Sequence, residues 1–229
     1  MKENAFSLLF LVTLAASAQA ASFYTASPAA VIPDNDLNGY QSSQTVAGVA
    51  DPIASVVVTL DITGGFNGDL YACLLHNQAT AVLLNRVGRS ATSNVGYGNT
   101  GFGPDAASNS FTFDDQAVGD VHFYRNYSYV LNGSGQLTGP WQPDGRLLDP
   151  LTAGSAFAGA ARSNMLGVFD GMDANGTWTL FVADVSGGGI STLVNWGIGI
   201  TPVPEPAAGS LLGCALAAAF LARRARRQT

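Results

Sequence analysis

Charge is scarce in this 229-residue chain: Asp, Glu, Lys and Arg make up 11%, against roughly 25% in an average globular protein. Lys2 is the only lysine, Glu3 and Glu205 are the only glutamates, and the formal net charge is -6. A chain with so few cations lacks the basic face that nucleic-acid binding requires. There are only two cysteines, Cys73 and Cys214. Cys214 lies in an apolar C-terminal run and Cys73 in an apolar strand pattern, so no disulfide framework is expected. Cys73 reads as a small buried hydrophobe. The two histidines, His76 and His122, are far apart and give no transition-metal spacing. Neither sits in the motifs of a Ser-His-Asp hydrolase, and Gly-x-Ser-x-Gly is absent. No convincing amphipathic helix runs between residues 21 and 202. What the chain does have is 27 Gly and 10 Pro, a composition that suits short strands and frequent turns.

The two ends read as addresses. Lys2 gives a weak positive start, an apolar stretch follows from Phe6 through Ala16, and Ala18-Gln19-Ala20 offers a small-x-small cleavage site. That order is a secretory signal peptide over residues 1–20. At the other end, Val203-Pro204-Glu205-Pro206 precedes an apolar run from Ala207 to Ala222. Arg223, Arg224, Arg226 and Arg227 close the chain. As a helix the run would span ~24 Å at ~1.5 Å per residue, enough to cross a membrane with flanking side chains snorkelling. The arginines would stay on the cytoplasmic side. This three-part end over residues 203–229 resembles a PEP-CTERM sorting signal. The resemblance implies recognition by an exosortase, a membrane-embedded cysteine transpeptidase-like enzyme. It also implies export in a Gram-negative bacterium, transient membrane anchoring, and delivery to the cell surface or its exopolysaccharide matrix.

Residues 21–202 carry strand patterns. Val56, Val58, Leu60 and Ile62 recur at period two, the signature of a half-buried strand. Leu70 to Leu75 is nearly all apolar, as in a central strand. Ala81 to Val87 and Ser110 to Asp114 add two more. Trp178, Leu180 and Val182 alternate with smaller or polar neighbours, as do Val194, Trp196, Ile198 and Ile200. Gly187-Gly188-Gly189 between these last two sets predicts an antiparallel hairpin. Asn67-Gly68 and Asn175-Gly176 are likewise turn formers. Gly88 to Asn109, rich in Gly, Ser and Asn, reads as a long exposed loop, and Tyr127 to Ser163 as a second irregular segment with turn formers. The pattern predicts an all-β fold, a sandwich or barrel.

The order of several short motifs then becomes informative. Ile32-Pro33-Asp34-Asn35, Phe66-Asn67-Gly68-Asp69-Leu70 and Phe111-Thr112-Phe113-Asp114-Asp115 come first. Asn175-Gly176-Thr177-Trp178-Thr179-Leu180, Asp184 and Trp196 follow. Together they resemble the P domain, or Homo B domain, of subtilisin-like proprotein convertases, over roughly residues 30–201. That resemblance implies a jelly-roll-like antiparallel β-sandwich that supports a neighbouring protease and is not itself catalytic. The Tyr127 to Ser163 stretch is longer than the family pattern.

Residue types offer two candidate ligand chemistries, each set against a plain structural role: aspartates also build turns, and loop aromatics also pack at a rim. Asp34-Asn35-Asp36-Leu37-Asn38-Gly39 has the front half of a calcium-loop spacing, but position twelve is Thr45 where Glu is required, so it reads as a turn. A calcium site assembled from Asp69, Asp114, Asp115 and Asp173 is the remaining metal candidate. Tyr40, Tyr97, Phe102, Tyr124, Tyr127, Tyr129 and Trp141 lie in or near loops, where rings can stack on sugars; the competing reading is packing at the rim of the sandwich. The sequence thus predicts an exported, non-enzymatic surface or matrix protein, processed by an exosortase. The alternatives are an accessory domain of a subtilisin-like protease and a calcium-dependent carbohydrate-binding module.

Overall fold

Eleven strands form two facing sheets in the computed structural model, which describes residues 21–204. The signal-cleavage residues Ala18 and Ala20, and the C-terminal segment from Glu205 onward with Arg223, Arg224, Arg226 and Arg227, lie outside the described residues. In chain order the strands are β1 (Ser22–Ala26), β2 (Ala30–Ile32), β3 (Tyr40–Val46), β4 (Ile53–Gly64), β5 (Leu70–His76) and β6 (Ala79–Asn85). They continue as β7 (Gly101–Phe102), β8 (Phe111–Phe113), β9 (Pro140–Trp141), β10 (Gly176–Asp184) and β11 (Ser191–Pro202). One sheet runs β1-β11-β4-β8-β9, with β2 also on β11 and β7 also on β4; the other runs β3-β10-β5-β6. Nearly all pairings are antiparallel, β8 with β9 being parallel. Among the described residues no helix is long and apolar enough to cross a membrane.

The period-two residues make the core. Val56, Val58, Leu60 and Ile62 of β4 face Trp178, Leu180 and Val182 of β10 across the sandwich, joined by Leu193, Trp196, Ile198 and Ile200 of β11. Trp178 and Trp196 are fully buried, each removing some 150–250 Å² of largely apolar surface from water at ~25 cal/mol per Å². Their indole N–H groups are satisfied: Trp178 donates to the Ala174 carbonyl, and Trp196 donates across the sandwich to Ser42 Oγ, both at 2.9 Å. β5 is central, between β10 and β6, as its continuous apolar run predicts.

Three expectations need correction. β10 and β11 are not a hairpin. Gly187 to Gly189 carry the chain from one sheet to the other, because each strand has a full apolar face that must meet the other across the core. Asn67-Gly68 is not a hairpin turn either. Asn67–Asp69 is a buried 3-10 turn that also crosses between sheets. Gly68 is needed there because a Cβ would lie 2.2 Å from the Val95 carbonyl oxygen. Finally, the Gly88 to Asn109 segment is not uniformly exposed. Gly101 and Phe102 return to pair with Ile62 and Thr63, and Phe102 is fully buried.

The Tyr127 to Ser163 segment is packed through polar groups. His122 Nδ1 lies 2.6 Å from Asp144 Oδ2, Arg146 bridges Asp144 (3.2 Å) and Asp120 (2.7 Å), and Arg162 Nε lies 3.7 Å from Asp120. The Asp144 and Gly145 amides donate to Leu83 and Val82, covering the free edge of β6. The segment therefore caps an otherwise open sheet edge.

Candidate functional site

One face of the sandwich carries an open groove of about 700 Å³. Tyr127, Tyr129, Val130 and Trp141 form its apolar surface, with Asp105, Ser128 and Thr138 supplying polar groups. Trp141 is placed by β9, and its indole N–H is held by the Thr138 carbonyl at 2.9 Å. Gly119 is required beside it, since a Cβ there would lie 2.5 Å from the indole ring. Tyr127 and Tyr129 remain 41% and 40% exposed, while Trp141 is nearly buried.

The rings form a chain. Tyr127 sits edge-on to Trp141 with centroids 6.1 Å apart; Tyr129 meets Tyr124 at 5.2 Å, and Tyr124 meets Tyr97 at 4.8 Å. Tyr124 lies in the 3-10 segment Val121–Asn126, and its hydroxyl donates to Asn99 Oδ1. Arg125 donates to the same oxygen at 2.7 Å and stacks its guanidinium 4.3 Å over Tyr97. Burial pushes the Tyr124 phenol up to about 12, so it stays a neutral donor. The exposed Tyr127 and Tyr129 rings thus rest on a buried aromatic base, which holds them at low conformational cost.

Asp105 stands at the rim. Asn109 donates to it from side chain and backbone, at 2.9 Å each, and Ala107 N–H donates at 2.8 Å. The Asn109 bonds hold its carboxyl below the usual range, so it is an ionised acceptor. Of the loop aromatics read from sequence, Tyr97, Tyr124, Tyr127, Tyr129 and Trp141 come together. Phe102 belongs to the core, and Tyr40 packs against it from β3. Asp105, Gly119 and the Arg125–Asn99 pair are not singled out by any sequence motif.

The structure does not bring the aspartate candidates to one point. Asp69 ends the 3-10 turn before β5, with Arg86 3.4 Å away. Asp114 accepts the Gln116 amide at 2.8 Å, and Asp115 accepts the Leu166 and Gly167 amides at 3.0 and 2.7 Å. Asp173 accepts the Asn175 amide at 2.9 Å. Asp114 and Asp173 close local turns, Asp115 holds the amides that open the Leu166–Phe169 3-10 turn, and Asp69 is taken up by Arg86. Among the described residues no three His, Cys, Asp or Glu side chains converge as a metal site, so this donor set does not fit a shared calcium ion. Asp34-Asn35-Asp36 is a turn into β3, with Asp36 Oδ1 accepting the Asn38 amide at 2.9 Å.

Neither histidine presents a free nitrogen. His122 Nε2 faces the Arg89 carbonyl at 2.9 Å while Nδ1 faces Asp144. His76 is stacked on Trp178 with centroids 4.0 Å apart, and its nitrogens face the Thr177 and Asp173 carbonyls at 3.1 and 2.7 Å. Both rings are buried, so neither is placed as a general base for an external substrate. This placement is compatible with a non-catalytic module.

No family model and no curated protein matches the sequence. Among solved structures, the chain is similar to the serine protease of Aeromonas sobria in complex with its chaperone, with a TM-score of 0.41 and 15% identity over 79% of this chain. It is also similar to that serine protease alone, with a TM-score of 0.37 and 14% identity over 80% of this chain. The chain spans about a quarter, 26%, of the length of each structure that it matches.

Proposed function

We propose that this chain is an exported, non-enzymatic binding module whose groove takes an uncharged glycan chain. The observation that carries the reading is the aromatic groove itself. Two half-exposed tyrosine rings on a rigid base offer apolar faces to sugar rings, and Asp105, Ser128 and Thr138 offer partners for hydroxyl groups. Charge narrows the ligand further. Within residues 21–204 the only Lys or Arg residues are five arginines: Arg86, Arg89 and Arg146 are buried, Arg162 is spent on Asp120 and its neighbours, and the exposed Arg125 is engaged with Asn99 and the Tyr97 ring. Among the charged groups aspartate outnumbers arginine, which disfavours an anionic polysaccharide.

Export rests on the sequence of the two ends. The signal peptide would deliver the chain across the inner membrane. The Val203-Pro204-Glu205-Pro206 signal would hand it to an exosortase for the cell surface or matrix. A glycan array with full-length protein, with and without calcium, tests the binding reading. Neutral glycan signal that is lost in Tyr127→Ala and Tyr129→Ala supports it, and no signal on any sugar overturns it.

A second reading is an accessory domain of a subtilisin-like protease. It is supported by the sequence motifs that resemble a P domain, two of which, at Phe66–Leu70 and Asn175–Leu180, lead into the central strands β5 and β10. Recovery of such a protease in a pull-down that survives the Tyr127→Ala change would favour this reading over the glycan one.

A further inference from the structure

The groove has an aliphatic lining as well as an aromatic one, and the aliphatic groups adjoin its single charged residue. Val118 and Val130 line the groove and are 91% and 65% exposed. Ala106 and Ala107, in the same lining, follow Asp105 directly in the chain. Single exposed apolar side chains need no explanation, but several gathered along one groove mark a contact surface. A sugar bearing only hydroxyl groups does not match this lining. Its C–H faces suit the Tyr127 and Tyr129 rings, and the rest of its outline is polar.

Asp105 has one acceptor position left to give. Its Oδ1 takes the Ala107 and Asn109 backbone amides, at 2.8 and 2.9 Å, and its Oδ2 takes the Asn109 side-chain amide at 2.9 Å. A carboxylate offers about four such positions, so these bonds close the loop and leave one position on Oδ2. The Asn109 bonds also keep the carboxyl ionised, and an ionised carboxylate answers only a donor. A ligand that completes this part of the groove therefore carries an N–H or O–H donor close to a small apolar group.

We propose that the groove selects N-acetylated sugars, as in a neutral N-acetylhexosamine polymer; this inference rests on the glycan reading above. The acetamido group is the sugar substituent that sets an N–H donor and a methyl group side by side. Its N–H would take the free position on Asp105 Oδ2, and its methyl would cover the aliphatic groups of Val118, Val130 and the two alanines. The exposed Ser128, in the same lining, has a hydroxyl that can donate to the acetamide carbonyl. Other substituents supply one half of the match. An O-acetyl ester brings the methyl without the donor. A free amino sugar brings the donor without the methyl.

The test is titration calorimetry on the full chain in mild detergent, with tetramers of N-acetylglucosamine, glucosamine and glucose joined by the same linkage. The N-acetylated tetramer should bind about tenfold more tightly than the glucose tetramer, or better. Val118→Ser combined with Val130→Ser alters two exposed side chains and so spares the fold. It should weaken the N-acetylated tetramer about fivefold or more while leaving glucose-tetramer affinity unchanged. Asp105→Asn keeps an oxygen for the two backbone amides and puts a donor at the free position, so it should also weaken the N-acetylated tetramer, about tenfold. Equal affinity for the glucose and N-acetylated tetramers, or tightest binding of the glucosamine tetramer, overturns the acetamide assignment and leaves the glycan reading standing. Failure of all three tetramers beside a signal from some other sugar on the glycan array does the same. No signal from any sugar overturns both.

Discussion

His122 and Asp144 share a 2.6 Å contact with neither side chain exposed to solvent, and Arg146 reaches the other carboxylate oxygen at 3.2 Å. Asp144 therefore answers two donors at once in the interior. Removing one member of such a network leaves its partners buried without compensation, at a cost of about 3–5 kcal/mol. Asp144→Asn should lower the melting temperature by about 10 °C on that basis. Calorimetry checks it. A change of only a degree or two would show that the cap over β6 contributes little to the fold.

Asp184 gives the pH dependence a sign. Burial, with Asp69 and Asp34 nearby, pushes its carboxyl up to about 6 from an ordinary 3.8. The folded state therefore holds this proton more tightly than the unfolded state does. The stabilisation from that proton is fully present below the unfolded value and is lost as pH rises through about 6. Asp61, Asp69 and Asp170 are raised by burial as well and act in the same direction. Asp184→Asn should leave stability near the wild-type value around pH 4 and raise it by about 1–3 kcal/mol around pH 7. Urea unfolding of both proteins across this range is the measurement. A variant equally stable or less stable at neutral pH contradicts the assignment.

How much of this could be read in advance depends on range. β4, β5 and β10 were legible because alternation is a property of neighbouring residues, and Val56 to Ile62 or Trp178 to Val182 show it locally. The Gly187 to Gly189 reversal was legible, but the sheet it leads to was not. A glycine run permits a change of direction, and only the apolar faces of β10 and β11, meeting across the core, decide that the strands oppose rather than pair. The groove was half legible. Tyr127, Tyr129 and Trp141 are visible as loop aromatics, yet their clustering needs β9 to join the sheet beside β8. The network of His122, Asp144, Arg146, Asp120 and Arg162 spans more than forty residues and has no motif. Its one signal is that charges rarely occur in so uncharged a chain without being paired.

Cys73 tests burial on the outer side of β5. It is 7% exposed, and burial pushes its thiol up to about 11. The reactive thiolate is then about a thousandth of the population near pH 8. Iodoacetamide should leave the Cys73 peptide unlabelled in native protein and label it fully in urea, as read by mass spectrometry. Rapid native labelling would mean that β5 opens locally.

Gly119 separates the groove from the fold. Its φ is not in the left-handed region, so a side chain there meets no backbone penalty. The obstacle is contact: the new Cβ would lie 2.5 Å from the Trp141 ring and 3.3 Å from the Tyr127 ring. Both rings line the groove, and the groove is open, so they can shift outward rather than into the core. Gly119→Ala should therefore cost about 1–2 kcal/mol of stability, at the low end of overpacking penalties. It should weaken neutral glycan binding at least as much as Tyr127→Ala does, because it displaces two stacking surfaces in place of one. Isothermal titration alongside thermal melting distinguishes the effects. Unchanged glycan affinity in a variant whose Trp141 fluorescence has shifted would place the sugar elsewhere, since no ligand stacked on Tyr127 beside Trp141 can be indifferent to where those rings sit.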